Sequence, residues 1–200
     1  MAELKIKEAI KKSWNWLWHS DSLLSWIVSL LLAFIIVKFI FFPLLSLLLG
    51  TSLPLVVVES SSMEHPGNLF KEIFSPQKEF ENWWEEKGLW YEDRELTKQE
   101  AQSWIFKSGF DKGDIIVVYR PTKLKIGDVI IFEANAQHPI IHRIISIDNK
   151  IIETKGDNNL DQLSIEKSIS EENIIGKAIF RIPKLGWIKL IFVEIINAFS

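Results

Sequence analysis

Two hydrophobic patterns of different kinds open the chain. Over residues 1–21, apolar and charged positions alternate at helical spacing, which predicts an amphipathic helix lying on a membrane surface. From Leu23 to Val37 no charged residue occurs, and about twenty apolar residues are enough to cross the hydrocarbon core of a bilayer. We therefore predict a transmembrane anchor over residues 22–42, with Lys38 near its outer end and Pro43 ending or kinking the helix.

The charges before this span predict its orientation. Segments rich in lysine remain in the cytoplasm, and four lysines precede the span: Lys5, Lys7, Lys11 and Lys12. We expect a single-pass protein of the cell membrane with a cytoplasmic N-terminus and an extracytoplasmic domain. The apolar run is too long for a cleavable signal peptide, and no small-residue cleavage site follows it.

After the anchor, the pattern changes to short β-branched runs separated by turn residues. These runs occupy residues 54–59, 115–119, 129–132, 140–147, 151–154 and 174–181. They predict a mostly β fold, in which an antiparallel, partly closed β domain over residues 43–184 follows the transmembrane helix. The last segment, 185–200, is apolar but carries Lys189 and Glu194, so we predict an interfacial helix rather than a second span.

An insertion at about 67–112 differs from its surroundings because aromatic residues alternate with acids and lysines. Its pattern predicts helices over 77–87 and 97–107, and Thr97 followed by Glu100 is typical of a capping box. The insertion either packs on the β domain through its aromatic side chains or dips toward lipid. An ordinary subdomain with a buried aromatic cluster explains the same pattern.

The composition excludes several classes of function and of reactive site. The 200 residues carry a net charge of −3, which gives no case for nucleic-acid binding. There are no cysteines, so disulfides, thiol nucleophiles and thiolate metal sites are excluded. The four histidines lack the spacing of a zinc motif, and we expect neither a metal nor a cofactor.

The remaining candidate chemistry is that of a serine hydrolase. Ser62 follows a strand-like run, and a serine hydroxyl needs a neighbouring base to act as a nucleophile. His142 suits that role because imidazole titrates near neutrality. A carboxylate must then orient the histidine, and Asp157 and Asp161 are the candidates. His65 is a weaker candidate base, because it lies only three residues after Ser62.

Five short motifs, taken in order behind the anchor, resemble those of type I signal peptidases. They are Ser60-Ser61-Ser62-Met63, Gly113-Asp114, Gly127-Asp128, Ile141-His142-Arg143 and Gly156-Asp157-Asn158-Asn159. A histidine at the fourth motif is typical of the archaeal and endoplasmic-reticulum branch of that family. Two positions depart from its pattern: Ser61 replaces a frequent glycine, and Pro66 comes one place late.

The resemblance implies an activity and a set of roles. It implies a membrane-bound serine endopeptidase that removes signal peptides from secretory preproteins, with the lipid bilayer and the export translocon as further partners. Ser62 would be the nucleophile and His142 the base, with Asp161 favoured over Asp157 as the orienting residue. The backbone N–H of Ser62 and the hydroxyl of Ser60 would form the oxyanion hole.

Two rival interpretations remain open. A non-catalytic, membrane-tethered β module that binds a partner or assists export would need no reactive serine. A related processing protease of narrower specificity would keep the same residues and differ in its substrates.

Overall fold

The computed structural model describes residues 2–65, 76–134 and 138–198. The chain divides into two compact units, Met1–Leu48 and Leu49–Ser200. The first unit contains α1 (Ala2–His19), α2 (Leu23–Ile36), a π-helical turn (Val37–Phe41) and the start of α3 (Phe42–Leu49). Ser22 caps α2 by accepting a hydrogen bond from the Ser25 backbone N–H at 3.2 Å.

The hydroxyls of two serines on α2 tie it to the end of α1. Ser25 Oγ donates to the carbonyl oxygen of Trp16 at 2.9 Å, and Ser29 Oγ donates to that of Leu17 at 3.1 Å. In an apolar helix such polar side chains need partners, because an unpaired hydroxyl is costly to bury. These bonds make α1 and α2 a helical pair inside the first unit.

The helix predicted to end near residue 42 continues to Leu49. One apolar helix of 27 residues, Leu23–Leu49, is long enough to cross a membrane. Pro43 has no N–H, and the π-helical turn that precedes it allows the chain to pass this position without ending the helix. Lys38 therefore lies within the helix rather than at its end, with its Nζ 5.5 Å from the centre of the Phe39 ring.

The described residues of the second unit form one antiparallel sheet of seven strands. The strands are β1 (Leu55–Val57), β2 (Ile115–Tyr119), β3 (Val129–Phe132), β4 (Ile140–Asp148), β5 (Ile151–Lys155), β6 (Ile169–Ser170) and β7 (Ile174–Ile182). Their order is β1-β2-β7-β3-β4-β5-β6, and every ladder is antiparallel. The predicted antiparallel β domain behind an apolar helix, with an aromatic-rich helical region, is confirmed.

Apolar side chains of these strands build two core clusters, and successive residues of β3 alternate between them. One cluster buries side chains of β2, β3 and β7 together with Met63 and Phe110. A second buries β3, β4 and β5 side chains with Ile169 and Ile174. Both clusters bury β-branched side chains, which suit the pleated surface of a sheet. Because Met63 is fully buried, the segment that follows β1 is anchored to the core.

The described part of the aromatic-rich region, from residue 76 on, forms two helices, α4 (Pro76–Glu92) and α5 (Lys98–Gln102). The predicted capping box is present: Glu100 N–H donates to Thr97 Oγ1, and Thr97 N–H donates to a Glu100 carboxylate oxygen at 2.8 Å. The second helix ends at Gln102 and is shorter than the helix over 97–107 that the sequence predicts. The carbonyl oxygens of Ile105 and Phe106 instead accept hydrogen bonds from Arg143. Residues 67–75 of the predicted insertion lie outside the described part of the chain.

The aromatic side chains of this region pack inward on the β domain. They form a buried cluster: Phe80, Trp83, Trp84, Tyr91, Leu96, Ala101, Trp104 and Ile145. Ile145 belongs to β4, so the cluster joins the helices to the sheet. The described part of the insertion therefore packs on the β domain.

Both Gly-Asp pairs form turns that lead into strands. Gly113 and Gly127 have φ of +89°, which favours glycine. A Cβ at Gly127 would lie 2.3 Å from Trp104 Cδ1, so the turn also allows the aromatic cluster to approach. The C-terminal segment forms α6 (Trp187–Ala198), as predicted, with most of its apolar side chains exposed.

Candidate active site

Ser62 lies in a tight turn after β1 that is held at several points. The backbone N–H of Asn158 donates to the carbonyl oxygen of Ser62 at 2.8 Å, and its side-chain amide donates to that of Ser61 at 3.0 Å. On the following residue, the carbonyl of Met63 accepts from Phe110 N–H at 2.8 Å. These bonds fix the backbone around Ser62, which is half-buried and whose hydroxyl lies beside His142.

His142 meets this serine across 80 residues of sequence. It lies on β4 opposite Ile130 of β3, and its ring is almost fully buried. Its Nε2 lies 3.0 Å from Ser62 Oγ, which is hydrogen-bond distance for proton transfer. The structure thus brings together the two residues that the sequence paired as nucleophile and base.

Glu166 holds the other ring nitrogen of His142. A carboxylate oxygen, Oε1, is hydrogen-bonded to His142 Nδ1, and the same oxygen accepts from Thr154 Oγ1 at 3.2 Å. The second oxygen, Oε2, accepts from the backbone N–H of Leu163 at 2.7 Å. Because a carboxylate only accepts, Nδ1 carries the proton in this arrangement and Nε2 is free to accept the serine proton.

Glu166 comes from a short 3₁₀ turn, Ser164–Glu166, that packs against β5. Its side chain is fully buried beside Thr154. No motif marks this glutamate in the sequence, since it stands nine positions after Asp157 in an ordinary Ser-Ile-Glu-Lys segment. Only the fold of the turn onto the strand reveals it.

Asp157, one of the two predicted orienting residues, binds Arg143 instead of His142. Arg143 Nε donates to Oδ1 at 2.9 Å and one terminal nitrogen donates to Oδ2 at 2.6 Å, inside the protein. Burial raises the pKa of Asp157, but the Arg143 charge and the hydrogen bonds from His65 and Arg143 outweigh this and hold the pKa well below its ordinary value. Asp157 is an ionised partner of Arg143, and it supports the loop that carries Asn158.

Asp161, the favoured orienting residue, is exposed. Its Oδ1 accepts hydrogen bonds from Trp90 Nε1 at 2.9 Å and from the backbone N–H of Gln162 at 2.8 Å. These two contacts lower the pKa of Asp161, with the Gln162 N–H as the larger cause. The prediction that Asp161 orients His142 therefore differs from the observed geometry, in which Glu166 occupies Nδ1.

His65 does not face Ser62 as a second base. Its ring stacks on Trp83 with 4.3 Å between the ring centres, and its Nε2 lies 3.0 Å from Asp157 Oδ2. Burial lowers the pKa of His65 despite the hydrogen bond and charge of Asp157, which act in the opposite direction. A neutral ring with its proton on Nε2 fits this environment, so His65 is a donor to Asp157.

Two further features shape the site. Ser60 Oγ lies 3.1 Å from Ser62 Oγ, in keeping with its predicted place beside the nucleophile. Gly156 passes so close to the base that a Cβ there would lie 2.8 Å from His142 Nε2. Within the described ranges, no group of three or more histidine, cysteine, aspartate or glutamate side chains is placed to hold a metal ion.

No family model matches the chain. Its sequence is similar to several catalytic subunits of the signal peptidase complex. The signal peptidase complex catalytic subunit SEC11 of Scheffersomyces stipitis is 30% identical over 97 residues, which cover 42% of this chain and 58% of the relative. The SEC11 subunit of Plasmodium falciparum is 33% identical over 89 residues, covering 39% of this chain and 48% of the relative.

The same subunit of Komagataella phaffii is 31% identical over 102 residues, covering 42% of this chain and 60% of the relative. The chain thus spans about half to three fifths of the length of these curated relatives. The resemblance to type I signal peptidases that the five motifs predicted is confirmed by these relatives.

Proposed function

We propose that this chain is a membrane-anchored serine endopeptidase that removes N-terminal signal peptides from exported preproteins. The observation that carries the proposal is the 3.0 Å contact between Ser62 Oγ and His142 Nε2, at the motifs that resemble those of signal peptidases. The relatives support the proposal, because they are signal peptidase complex catalytic subunits. Serine and histidine at this distance, with a carboxylate behind the histidine, are the parts of an acyl-transfer site.

The reaction would proceed in two halves. His142 Nε2 takes the Ser62 hydroxyl proton while Oγ attacks the scissile carbonyl carbon. The tetrahedral intermediate collapses as His142 gives that proton to the leaving amine, and the mature protein departs with a new N-terminus. Water then attacks the acyl-enzyme with His142 as base, releasing the signal peptide and restoring Ser62.

The negative charge on the tetrahedral intermediate needs donors that are already in position. We assign this role to the backbone N–H of Ser62 and the hydroxyl of Ser60. The 3.1 Å separation of the two serine hydroxyl oxygens supports Ser60, because both are then next to the same reacting carbonyl. This assignment makes Ser60 a contributor to the transition state rather than to folding.

The substrate would bind as an extended strand along β1. In the described sheet β1 is a terminal strand that pairs with β2, and an extended peptide can add to such an edge. By analogy with the family, small residues at the −1 and −3 positions of the substrate would be preferred. Residues 22–42 would anchor the chain, 1–21 and 185–200 would lie on the membrane surface, and 43–184 would form the extracytoplasmic domain.

Cleavage of a purified preprotein by the intact chain in lipid vesicles tests the proposal. Wild type should release the signal peptide, whereas Ser62→Ala and His142→Ala should each lower kcat on the order of 10⁴-fold or more. Ser103→Ala is the matched control, because the Ser103 hydroxyl donates to the carbonyl of Glu100 at the end of α5. An inactive wild type, or an active Ser62→Ala, would favour the non-catalytic β module, and cleavage of a single preprotein from a broad panel would favour the narrower processing protease.

A further inference from the structure

We infer that Glu166 is the positioning residue of the catalytic histidine, in place of the aspartate that the family resemblance implies. This inference rests on the proposed function and identifies the third member of its catalytic apparatus. Glu166 does not touch the substrate in this scheme. It acts through His142, by fixing the tautomer of the ring and stabilising the imidazolium that forms during the reaction.

Both oxygens of this buried carboxylate are hydrogen-bonded. Oε1 is bonded to His142 Nδ1 and Thr154 Oγ1, and Oε2 is bonded to Leu163 N–H. A carboxylate buried without hydrogen bonds would be costly, so the donors on Thr154 and Leu163 hold the group in place. The backbone N–H of Glu166 also donates to the Leu163 carbonyl oxygen at 3.0 Å, which closes the turn.

Apart from His142, the hydrogen-bond donors to Glu166 do not balance its charge. The Thr154 hydroxyl and the Leu163 N–H are uncharged donors. A carboxylate whose other hydrogen-bond donors are uncharged stabilises an opposite charge on its remaining hydrogen-bond partner, which is His142. Asp157 differs in this respect, because its charge is already balanced by the guanidinium of Arg143.

Asp161, the aspartate predicted for this role, lies at the surface. The Asp161 side chain is exposed, with Trp90 and Gln162 as hydrogen-bond donors. An exposed carboxylate is screened by water and exerts a weak effect on a buried ring. The longer glutamate side chain, presented from a turn nine positions beyond Asp157, reaches the histidine in its place.

The experiment compares Glu166→Gln with Asp161→Asn in the intact chain, using the preprotein assay. Glu166→Gln should lower kcat on the order of 10³-fold with little change in KM, since it removes the charge and permits the wrong tautomer. Asp161→Asn should change kcat by less than about threefold, because an exposed pair contributes little. Glu153→Gln, next to Thr154 on the other face of β5, is the matched control for a lost carboxylate.

The pH dependence of kcat/KM separates positioning from folding. Without the Glu166 charge the imidazolium is less stable, so the acid limb of the profile should move to lower pH in Glu166→Gln. Glu166→Asp keeps the charge on a shorter side chain and should recover part of the lost kcat. A variant that is merely less stable would lose active protein without moving the limb.

Thr154→Val gives a second test if Glu166→Gln does not fold. It removes one donor to the Glu166 carboxylate at nearly constant volume and should lower kcat by about three- to tenfold with unchanged KM. The inference is overturned if Glu166→Gln retains wild-type kcat and pH profile, or if Asp161→Asn shows the large loss. In both cases an active wild type and an inactive Ser62→Ala would leave the proposed function standing, whereas an inactive wild type would remove it.

Discussion

Among its described residues, the second unit contains two buried histidine–carboxylate pairs, and they are built differently. His142 is bonded to Glu166 through Nδ1 and faces Ser62 Oγ through Nε2. His65 is bonded to Asp157 through Nε2, and its Nδ1 is buried without a hydrogen-bond partner in the described part of the chain. The first ring lies between a carboxylate and a hydroxyl, whereas the second lies flat on Trp83.

The difference shows that burial beside a carboxylate does not by itself place a histidine against a serine hydroxyl. Asp157 is neutralised by Arg143, and Arg143 also donates to the carbonyl oxygens of Ile105 and Gly127. That network joins β4 to the loops around it and leaves His65 as one donor among several. Glu166 has no such cation among its hydrogen-bond donors in the described residues, so its charge acts on His142. The first pair suits proton transfer and the second suits structural support.

The largest expected effect distinguishes the two histidines directly. His142→Gln should lower kcat on the order of 10⁴-fold while the protein stays folded, because it removes the base. His65→Gln should reduce stability and keep kcat within about tenfold, because it removes a donor to Asp157 and the stacking on Trp83. Preprotein cleavage and thermal unfolding of both variants measure this, and equal losses of kcat would contradict the comparison.

The second-largest expected effect concerns Arg143, the cation that binds Asp157 and not Glu166. Arg143→Met should lower the free energy of unfolding by about 3–5 kcal/mol, since it leaves Asp157 buried without its cation. Arg94→Met is the control, because Arg94 lies over the Trp90 ring at the surface, and it should cost at most about 1 kcal/mol. Urea unfolding of the intact chain in detergent, followed by tryptophan fluorescence, measures both. Similar losses for the two variants would show that the network contributes little.

The smallest effect is a pH dependence of stability that belongs to His65. Its pKa is lowered in the folded protein, so below about pH 6.5 the unfolded chain binds a proton that the folded chain does not. Stability should therefore fall as the pH drops below that value, by up to about 1.4 kcal/mol per pH unit. Unfolding free energies of wild type and His65→Gln from pH 5 to 8 isolate this term. An identical slope in the variant would assign it to other groups.

Part of the site was predictable from sequence because its signal is local. Ser62 and His142 stand in short motifs, and each motif combines a reactive residue with the turn or strand that presents it. The predicted strand runs correspond closely to β2, β3, β4, β5 and β7 for a similar reason, since β-branched runs bounded by turn residues need no long-range information. The capping box of α5 is local in the same sense.

Other parts had no local signal. The helix continues through Pro43, which has no backbone N–H to donate, after a π-helical turn over Val37–Phe41. The presence of a proline in the sequence does not predict this turn. Helix α5 ends at Gln102, and beyond it Arg143, which lies 38 positions after Ile105, donates to the carbonyl oxygen of Ile105. Both outcomes depend on how hydrogen bonds are completed in three dimensions.

The sequence by itself determined that an apolar helix precedes an antiparallel β domain and which serine and histidine are reactive candidates. These features follow from hydrophobic periodicity and short motifs, each of which is contained within a few consecutive residues. Only the tertiary structure decided which carboxylate serves which histidine. Asp157, Asp161 and Glu166 carry the same charge in the sequence, and burial, neighbouring cations and the reach of each side chain decide what that charge does.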